Sequence, residues 1–381
     1  MYSVSNYASM LEDSIRMDAY LAAMRAAITP GCTVLDIGTG TGAMAILACR
    51  LGAGKVYAVE PSEAIRVAPD LAADNGCADR IVFVHGLSTA LDLPHPADVV
   101  VSDLRGVLPL FGRHIPSIID ARERLLAPGG TLLPRRDTLW CALVDAPEIH
   151  RTHLRALVPR PYGLNVERVR GLLSHTWRKA VVKADQLASA PAQWGALDYR
   201  VVVSPDLQGE VPLEATRDGL VHGLSLWFDA EIGEGAGFSN APDHPEAVYG
   251  QAYFPFPRPV RVAAGDAFVV TLRAKLTNDD YQWWWSLASD GTGAEPSPVR
   301  FDQSTFFSLP IDPRRLRSRE QRFVPTPGRL AAVDRFILER MEEGGAIADI
   351  SRAASEAFPG FFSSPAVALA HVGELSARYS E

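Results

Sequence analysis

Four cysteines in 381 residues, Cys32, Cys49, Cys77 and Cys141, stand far apart and form no Cys-x-x-Cys pair. Such spacing offers neither a zinc cluster nor a disulfide framework, and it fits a reducing cytoplasm in which each thiol is a small buried apolar group. No run approaches the roughly 20 apolar residues that a membrane helix needs. The opening residues, Met1-Tyr2-Ser3-Val4-Ser5-Asn6, lack the basic-then-apolar order of a secretory signal. Cations are in deficit: 37 Lys and Arg against 45 Asp and Glu leave a net charge of −8. That balance argues against a chain that wraps nucleic acid, although it leaves room for a local basic groove. What is present, 47% hydrophobic and 22% charged residues, is the composition of a folded soluble protein of two or three domains.

Residues 1–145 alternate short apolar runs with helical patterns. Thr33–Ile37, Val56–Val59, Ile81–His85 and Val99–Val101 read as strands, and Ala43–Leu51, Glu63–Asn75 and Arg113–Leu126 as helices. Strand and helix in alternation predict an α/β domain, a parallel sheet covered on both faces. Ahead of it, Met10, Ile15, Met17, Leu21 and Met24 predict one or two amphipathic helices. Residues 146–320 read as a β-barrel or sandwich with short runs such as Thr138–Val144 at its edge, Tyr199–Val203, Leu224–Ile232 and Phe268–Leu276. A helical arm is expected within it, over about residues 148–183. In Tyr281-Gln282-Trp283-Trp284-Trp285, period two puts Trp283 and Trp285 on one face and Trp284 on the other; one face is expected to fill the barrel and the other to be open to a flat or apolar substrate. Residues 321–381 carry three amphipathic segments, a small helical module resembling winged-helix or peptide-clasping domains.

The chemistry concentrates at Asp36-Ile37-Gly38-Thr39-Gly40-Thr41-Gly42, which ends the first strand. Its glycines permit a sharp turn and close approach of a ligand to the backbone, and the following helix offers free N–H groups. Glu60 ends the next strand, where a carboxylate can accept both hydroxyls of a ribose. Gly38-x-Gly40-x-x-Ala43 also satisfies a dinucleotide fingerprint, so an oxidoreductase stays open on this loop alone. Asp36 two residues before the first glycine, with the third glycine at 42, favours S-adenosylmethionine.

Several stretches together resemble the protein arginine methyltransferases over roughly residues 7–310. They are Met10-Leu11-x-Asp13-x-x-Arg16-x-x-x-Tyr20, Val34–Gly42, Gly52–Glu60, Ala121–Gly130 and Gly219–Asp229. The resemblance implies a Rossmann-like methyltransferase domain, a barrel, and a homodimer formed through the arm. It places Arg16 on the carboxylate of S-adenosylmethionine and Met10 near the sulfonium. Asp36, Gly38, Thr39 and Gly40 line the amino-acid side, Glu60 and Pro61 hold the ribose, and Gly86, Leu87 and Ser88 lie by the adenine. Asp103 borders the same site.

Departures from that family bear on the methyl acceptor. Its two guanidinium-clamping glutamates align with Asp103 and Gly112, and Arg105 and Arg113 add positive charge nearby. The Thr-His-Trp loop of the family is replaced by Ala247-Val248-Tyr249-Gly250-Gln251. A guanidinium needs paired acceptors, so the expected acceptor is a small metabolite or a peptide in a biosynthetic pathway. Asp103 and His114 are the candidate catalytic residues, and Tyr7, Arg105 and Arg113 the candidate substrate contacts, with Tyr2 beside Tyr7. No metal site is expected, and neither nucleic acid nor membrane is expected as a partner. The alternatives are an arginine methyltransferase with a degenerate clamp and a cofactor-binding scaffold without catalysis.

Overall fold

A computed structural model describes residues 4–155, 161–291, 293–295, 297–310, 312–318 and 320–380. Tyr2, expected near the substrate, lies outside them. The chain divides into two compact units, Met1–Leu309 and Pro310–Glu381.

The first unit opens with α1 (Val4–Glu12) and α2 (Ser14–Ala27), followed by β1 (Thr33–Ile37), α3 (Ala43–Arg50), β2 (Lys55–Glu60), α4 (Ala68–Asp74), β3 (Ile81–His85), β4 (Ala97–Ser102), α5 (His114–Asp120) and β5 (Leu126–Leu133). The five strands form a parallel sheet in the order β3-β2-β1-β4-β5. Strand order reverses at β1, so the carboxyl ends of β1 and β4 open a crevice where a ligand can sit. The expected helix over residues 63–75 is divided: a 3-10 turn, Glu63–Val67, precedes α4. Pro69 has no N–H to continue the ladder and starts α4 instead. The helix expected over 113–126 likewise ends at Asp120, followed by a π turn through Leu125.

Asp13 separates the two N-terminal helices. Its carboxylate caps α2 by accepting from the Arg16 N–H at 3.2 Å. The buried face of α2 is Arg16, Ala19, Tyr20, Ala23 and Met24, whereas Ile15, Met17 and Leu21 are half-buried. Small residues are needed on that face, because a Cβ at Gly233 of the barrel would lie 2.9 Å from the Ala23 Cβ.

The rest of the unit is antiparallel. It comprises β6 (Arg136–Val144), α6 (Pro147–His153), α7 (Glu167–Leu173), β7 (Arg178–Ala180), β8 (Ala192–Asp198), β9 (Leu207–Glu214), β10 (Gly219–Gly233), β11 (Ala236–Ser239), β12 (Gln251–Val262), β13 (Ala267–Thr277), β14 (Asp280–Ala288) and β15 (Arg300–Ser304). One sheet runs β7-β12-β10-β6-β8 with β11 on β10, and a second runs β15-β14-β13-β9. Trp283 and Trp285 are both about 1% exposed and pack edge-on against Phe254, so the structure makes theirs the face that fills the barrel. The arm is helical only in part, since β7 pairs with β12. Tyr199–Val203 is not a strand. Asp198 accepts from the Arg200 N–H, and the Val201 and Val202 N–H groups turn back to the Asp198 carbonyl.

The second unit holds α8 (Pro313–Arg317), α9 (Arg329–Glu342), α10 (Ile347–Ala357) and α11 (Pro365–Tyr379). Val333, Ile337, Ile350, Ala354, Val372 and Leu375 form its core. The three expected helices are present, but no strand stands beside them among the described residues, so there is no wing. Among the described residues, no helix is long and apolar enough to cross a membrane, and no group of side chains has the makeup of a metal site.

Candidate active site

A cleft of about 420 Å³ opens at the carboxyl ends of β1 and β4. Its glycine loop carries positive φ at Gly38 (77°), Gly40 (57°) and Gly42 (90°), backbone that a side chain would strain. A Cβ at Gly40 would lie 2.4 Å from the Tyr7 ring, so α1 folds directly over this loop. The Tyr7 hydroxyl meets Ser62 Oγ at 3.3 Å. Met10, Thr39, Pro61, Gly86, Leu87 and Ser88 line the same cleft; Gly40 lies beneath Tyr7.

Glu60 is buried and pre-oriented. One of its carboxylate oxygens accepts from the Gly40 N–H at 3.0 Å and the other from the Ser62 N–H at 2.9 Å. Each oxygen keeps a lone pair for a ligand hydroxyl. Asp36 accepts from the Thr39 hydroxyl at 2.6 Å. Burial pushes its carboxyl up to about 6, against the opposing effect of that bond and of a backbone bond from Ala45.

Asp103 sits between two arginines. It accepts from Arg16 Nε, from Arg105 Nη1 at 3.0 Å and from the Tyr249 hydroxyl at 2.6 Å. Burial alone would raise its carboxyl, but Arg16, Arg105 and Tyr249 outweigh that and hold it at about 2. It is therefore a fixed anion and not a proton acceptor near neutral pH. Val248 joins this arrangement by donating its N–H to Asp13 at 2.7 Å.

Arg105 is fully buried and engaged within the protein, which corrects its expected role as a substrate contact. Nε and Nη2 both donate to Asp137 at 2.8 Å, and Nη1 donates to Tyr20 at 2.7 Å as well as to Asp103. Asp137 also accepts from the Tyr199 hydroxyl at 2.5 Å. Since that hydroxyl has one proton, its oxygen must accept from His114 Nε2, 3.0 Å away. His114 is thus a neutral donor whose Nδ1 has no partner. Burial, reinforced by Arg105, lowers the imidazole to about 3. The expected role of base does not suit a histidine so weakly basic, and its surroundings are those of a buried structural group.

This titration has a measurable consequence. An unfolded imidazole titrates near 6.5 and the folded one near 3. Between those values the unfolded chain binds more protons, so the contribution of His114 is complete above pH 6.5 and is lost as pH falls toward 3. Wild-type stability should fall relative to His114→Asn by up to about 1.4 kcal/mol per pH unit on acidification. Denaturant unfolding at several pH values measures the difference, in which the opposite titration of Asp36 cancels. Parallel curves for the two proteins would refute it.

Arg113 remains accessible. Its side chain is 47% exposed and pairs with Asp279 at 3.2 Å. Three arginines (16, 105 and 113) and four carboxylates (Asp36, Glu60, Asp103 and Asp279) line the cleft. Each arginine faces a carboxylate, so the positive charge read from Arg105 and Arg113 is cancelled. Asp137, Tyr199 and Asp279 were not anticipated. Asp137 stands immediately before the apolar run Thr138–Val144, and an acid at the edge of a buried strand was the available signal, since a charge is seldom buried without a partner. Nothing local marks the other two.

Residues 18–133 match the family model of the ribosomal protein L11 methyltransferase, and residues 138–290 that of the arginine methyltransferase oligomerization subdomain. An arginine N(omega)-methyltransferase of Streptomyces achromogenes is 32% identical over 69% of this chain and 74% of its own length. The chain belongs to the protein arginine methyltransferase family. A protein arginine N-methyltransferase 6 of Xenopus laevis is 27% identical over 59% of the chain and 69% of its own length. Among solved structures, the PRMT1 enzyme-prozyme complex of Trypanosoma brucei with AdoHcy superposes with a TM-score of 0.71 at 23% identity, covering 78% of this chain and 97% of that one. Protein arginine methyltransferase 10 of Arabidopsis thaliana gives 0.68 at 21%, covering 80% and 98%. These two show a shared fold. As a member of the family, the protein is an S-adenosylmethionine-dependent methyltransferase. The residues fit that cofactor: Arg16, Asp36 and Gly38 line the cleft, and the Glu60 carboxylate is held ready at the end of β2 by the Gly40 and Ser62 N–H groups. The oxidoreductase alternative falls away with family membership.

Proposed function

We propose that this methyltransferase acts on a guanidino nitrogen of arginine, either free or within a peptide. The observation that carries the reading is the charge balance of the cleft, where every arginine is matched by a carboxylate and Asp103 stays ionised. A cationic acceptor therefore meets no net repulsion. The Streptomyces relative, an arginine N(omega)-methyltransferase, supports the same choice.

S-adenosylmethionine supplies an electrophilic methyl carbon, and its sulfur keeps the electron pair of the broken C–S bond. On our proposal Glu60 and Pro61 hold the ribose, while Asp36, Gly38, Thr39, Gly40 and Arg16 face the amino-acid end. Met10 packs near the sulfonium, and Gly86, Leu87 and Ser88 border the adenine. Tyr7 and α1 cover the loop and exclude water. Asp103 orients rather than deprotonates: held by three donors, it presents a fixed negative charge beside the acceptor nitrogen. Transfer would form one N–C bond as the C–S bond breaks, and the nitrogen would give up one proton to bulk solvent once the methylated product leaves the cleft.

Incubation with S-adenosylmethionine and L-arginine, or with an arginine-containing peptide, tests the reading by mass spectrometry. Gain of one methyl on the guanidino group is expected. Methylation confined to hydroxyls or amines would overturn it. Such an outcome would favour a second reading, a small metabolite or peptide acceptor other than arginine, for which the lack of a side chain at Gly112 speaks. We further propose a homodimer through the arm at 148–183, where Tyr162, Leu164 and Val169 are exposed; light scattering tests it.

A further inference from the structure

If the acceptor is a guanidinium, as proposed above, it brings five donors and a permanent charge. Asp103 alone does not answer that demand. Its contacts to Arg16, Arg105 and Tyr249 already engage both oxygens. Of the other carboxylates lining the cleft, Asp36 is buried against Thr39, and Glu60 is held by two backbone N–H groups. Asp279 is different. It is exposed, and among the described residues its one side-chain bond is that of Oδ1 with Arg113, at 3.2 Å.

Its place in the fold is specific. Thr277 of β13 pairs with Asp280 of β14, leaving Asn278 and Asp279 as a two-residue hairpin turn. Both have left-handed backbone, φ 50° and 67°, the conformation that suits a tight antiparallel hairpin. The buried Trp283 and Trp285 anchor β14 behind it. This turn lies against the loop after β4. A Cβ at Gly112 would stand 4.0 Å from the Asp279 carbonyl oxygen, and Gly112 itself has φ 47°. The loop thus has no side chain where the backbone of the hairpin turn approaches it, and the carboxylate of the turn reaches Arg113, the next residue of the same loop.

We propose that Asp279 is the second carboxylate that recognises the guanidinium of the acceptor, carried into the cleft by the β13–β14 hairpin and held by Arg113 until substrate takes its place. The exchange replaces one guanidinium by another on the same oxygen. It is a mild exchange, because an exposed pair of this kind contributes little net stability. Asp279 is in this sense a specificity-determining residue, and Arg113 its internal competitor.

Steady-state kinetics with L-arginine and with an arginine peptide test this, alongside calorimetric binding of S-adenosylhomocysteine. Asp279→Asn should raise the acceptor KM by about 10-fold or more, the loss expected for a charged hydrogen bond. The KM for S-adenosylmethionine and the affinity for S-adenosylhomocysteine should stay at wild-type values. Asp279→Glu should recover part of the loss, and Arg113→Gln should lower the acceptor KM. An acceptor KM for Asp279→Asn within about twofold of wild type overturns the role of Asp279 while leaving the guanidino reading in place. Joint loss of cofactor binding and turnover overturns it as well, by making Asp279 a folding residue. A wild-type enzyme that methylates no arginine compound overturns the guanidino reading, and the role of Asp279 with it.

Discussion

Asp137→Ala should destabilise the methyltransferase by about 3–5 kcal/mol, the penalty for removing one partner of a buried ion pair. Arg105 and Asp137 have fully buried side chains and share two bonds of 2.8 Å. Without the carboxylate, the guanidinium keeps its charge and faces Tyr20, Asp103 and Tyr199 in a dry interior. Tyr199 loses the acceptor for its proton, and His114 loses a correctly polarised partner. The pair also ties the loop after β4 to β6, so it couples the parallel sheet to the barrel. Urea unfolding followed by circular dichroism measures the loss. A change below about 1 kcal/mol would mean that Arg105 finds water or another anion. The double variant Arg105→Met with Asp137→Ala should recover much of the stability, because replacing both charges removes the uncompensated ion along with the pair. Failure of that recovery would assign the effect to packing around β6.

Glu60→Ala should weaken binding of S-adenosylhomocysteine by about 10–100-fold, as expected for hydrogen bonds to a charged group. Its carboxylate already satisfies the Gly40 and Ser62 N–H groups and, on our proposal, accepts the ribose hydroxyls with its remaining lone pairs. The substitution leaves those two N–H groups unpaired and removes the anion from the end of β2. Glu60→Gln should fall between the two, since its amide keeps one acceptor oxygen. Calorimetric titration reads the affinity, and thermal unfolding without ligand checks that the fold persists. Wild-type affinity in Glu60→Ala would sink the assignment.

The parallel sheet was legible because its signals are local. Runs of Val and Ile set β1 to β4, and the helical periods between them set α3 to within a residue, whereas α4 and α5 are each shorter than their period predicts. Boundaries moved where one residue overrode the period, as Pro69 did in starting α4 and Asp198 in turning the chain before Val201. The face of α2 was misread for another reason. Met24 is buried as expected, but the other buried positions hold Arg16, Tyr20, Ala19 and Ala23, the last packed close to Gly233, whereas apolar content alone favours the bulkier Ile15, Met17 and Leu21.

By itself, the sequence determined the α/β sheet, the glycine loop with Glu60 at the next strand end, and the family whose methyl donor is S-adenosylmethionine. Each rests on residues close together in the chain, where backbone period and positive φ leave few alternatives. Only the tertiary structure decided which charges are free. Arg105 finds Asp137 across 32 residues, Asp103 finds Tyr249 across 146, and Arg113 finds Asp279 across 166. Coulombic pairing and desolvation depend on distance and burial in space, so a loop that reads as basic along the chain becomes a balanced cleft once the barrel closes against it.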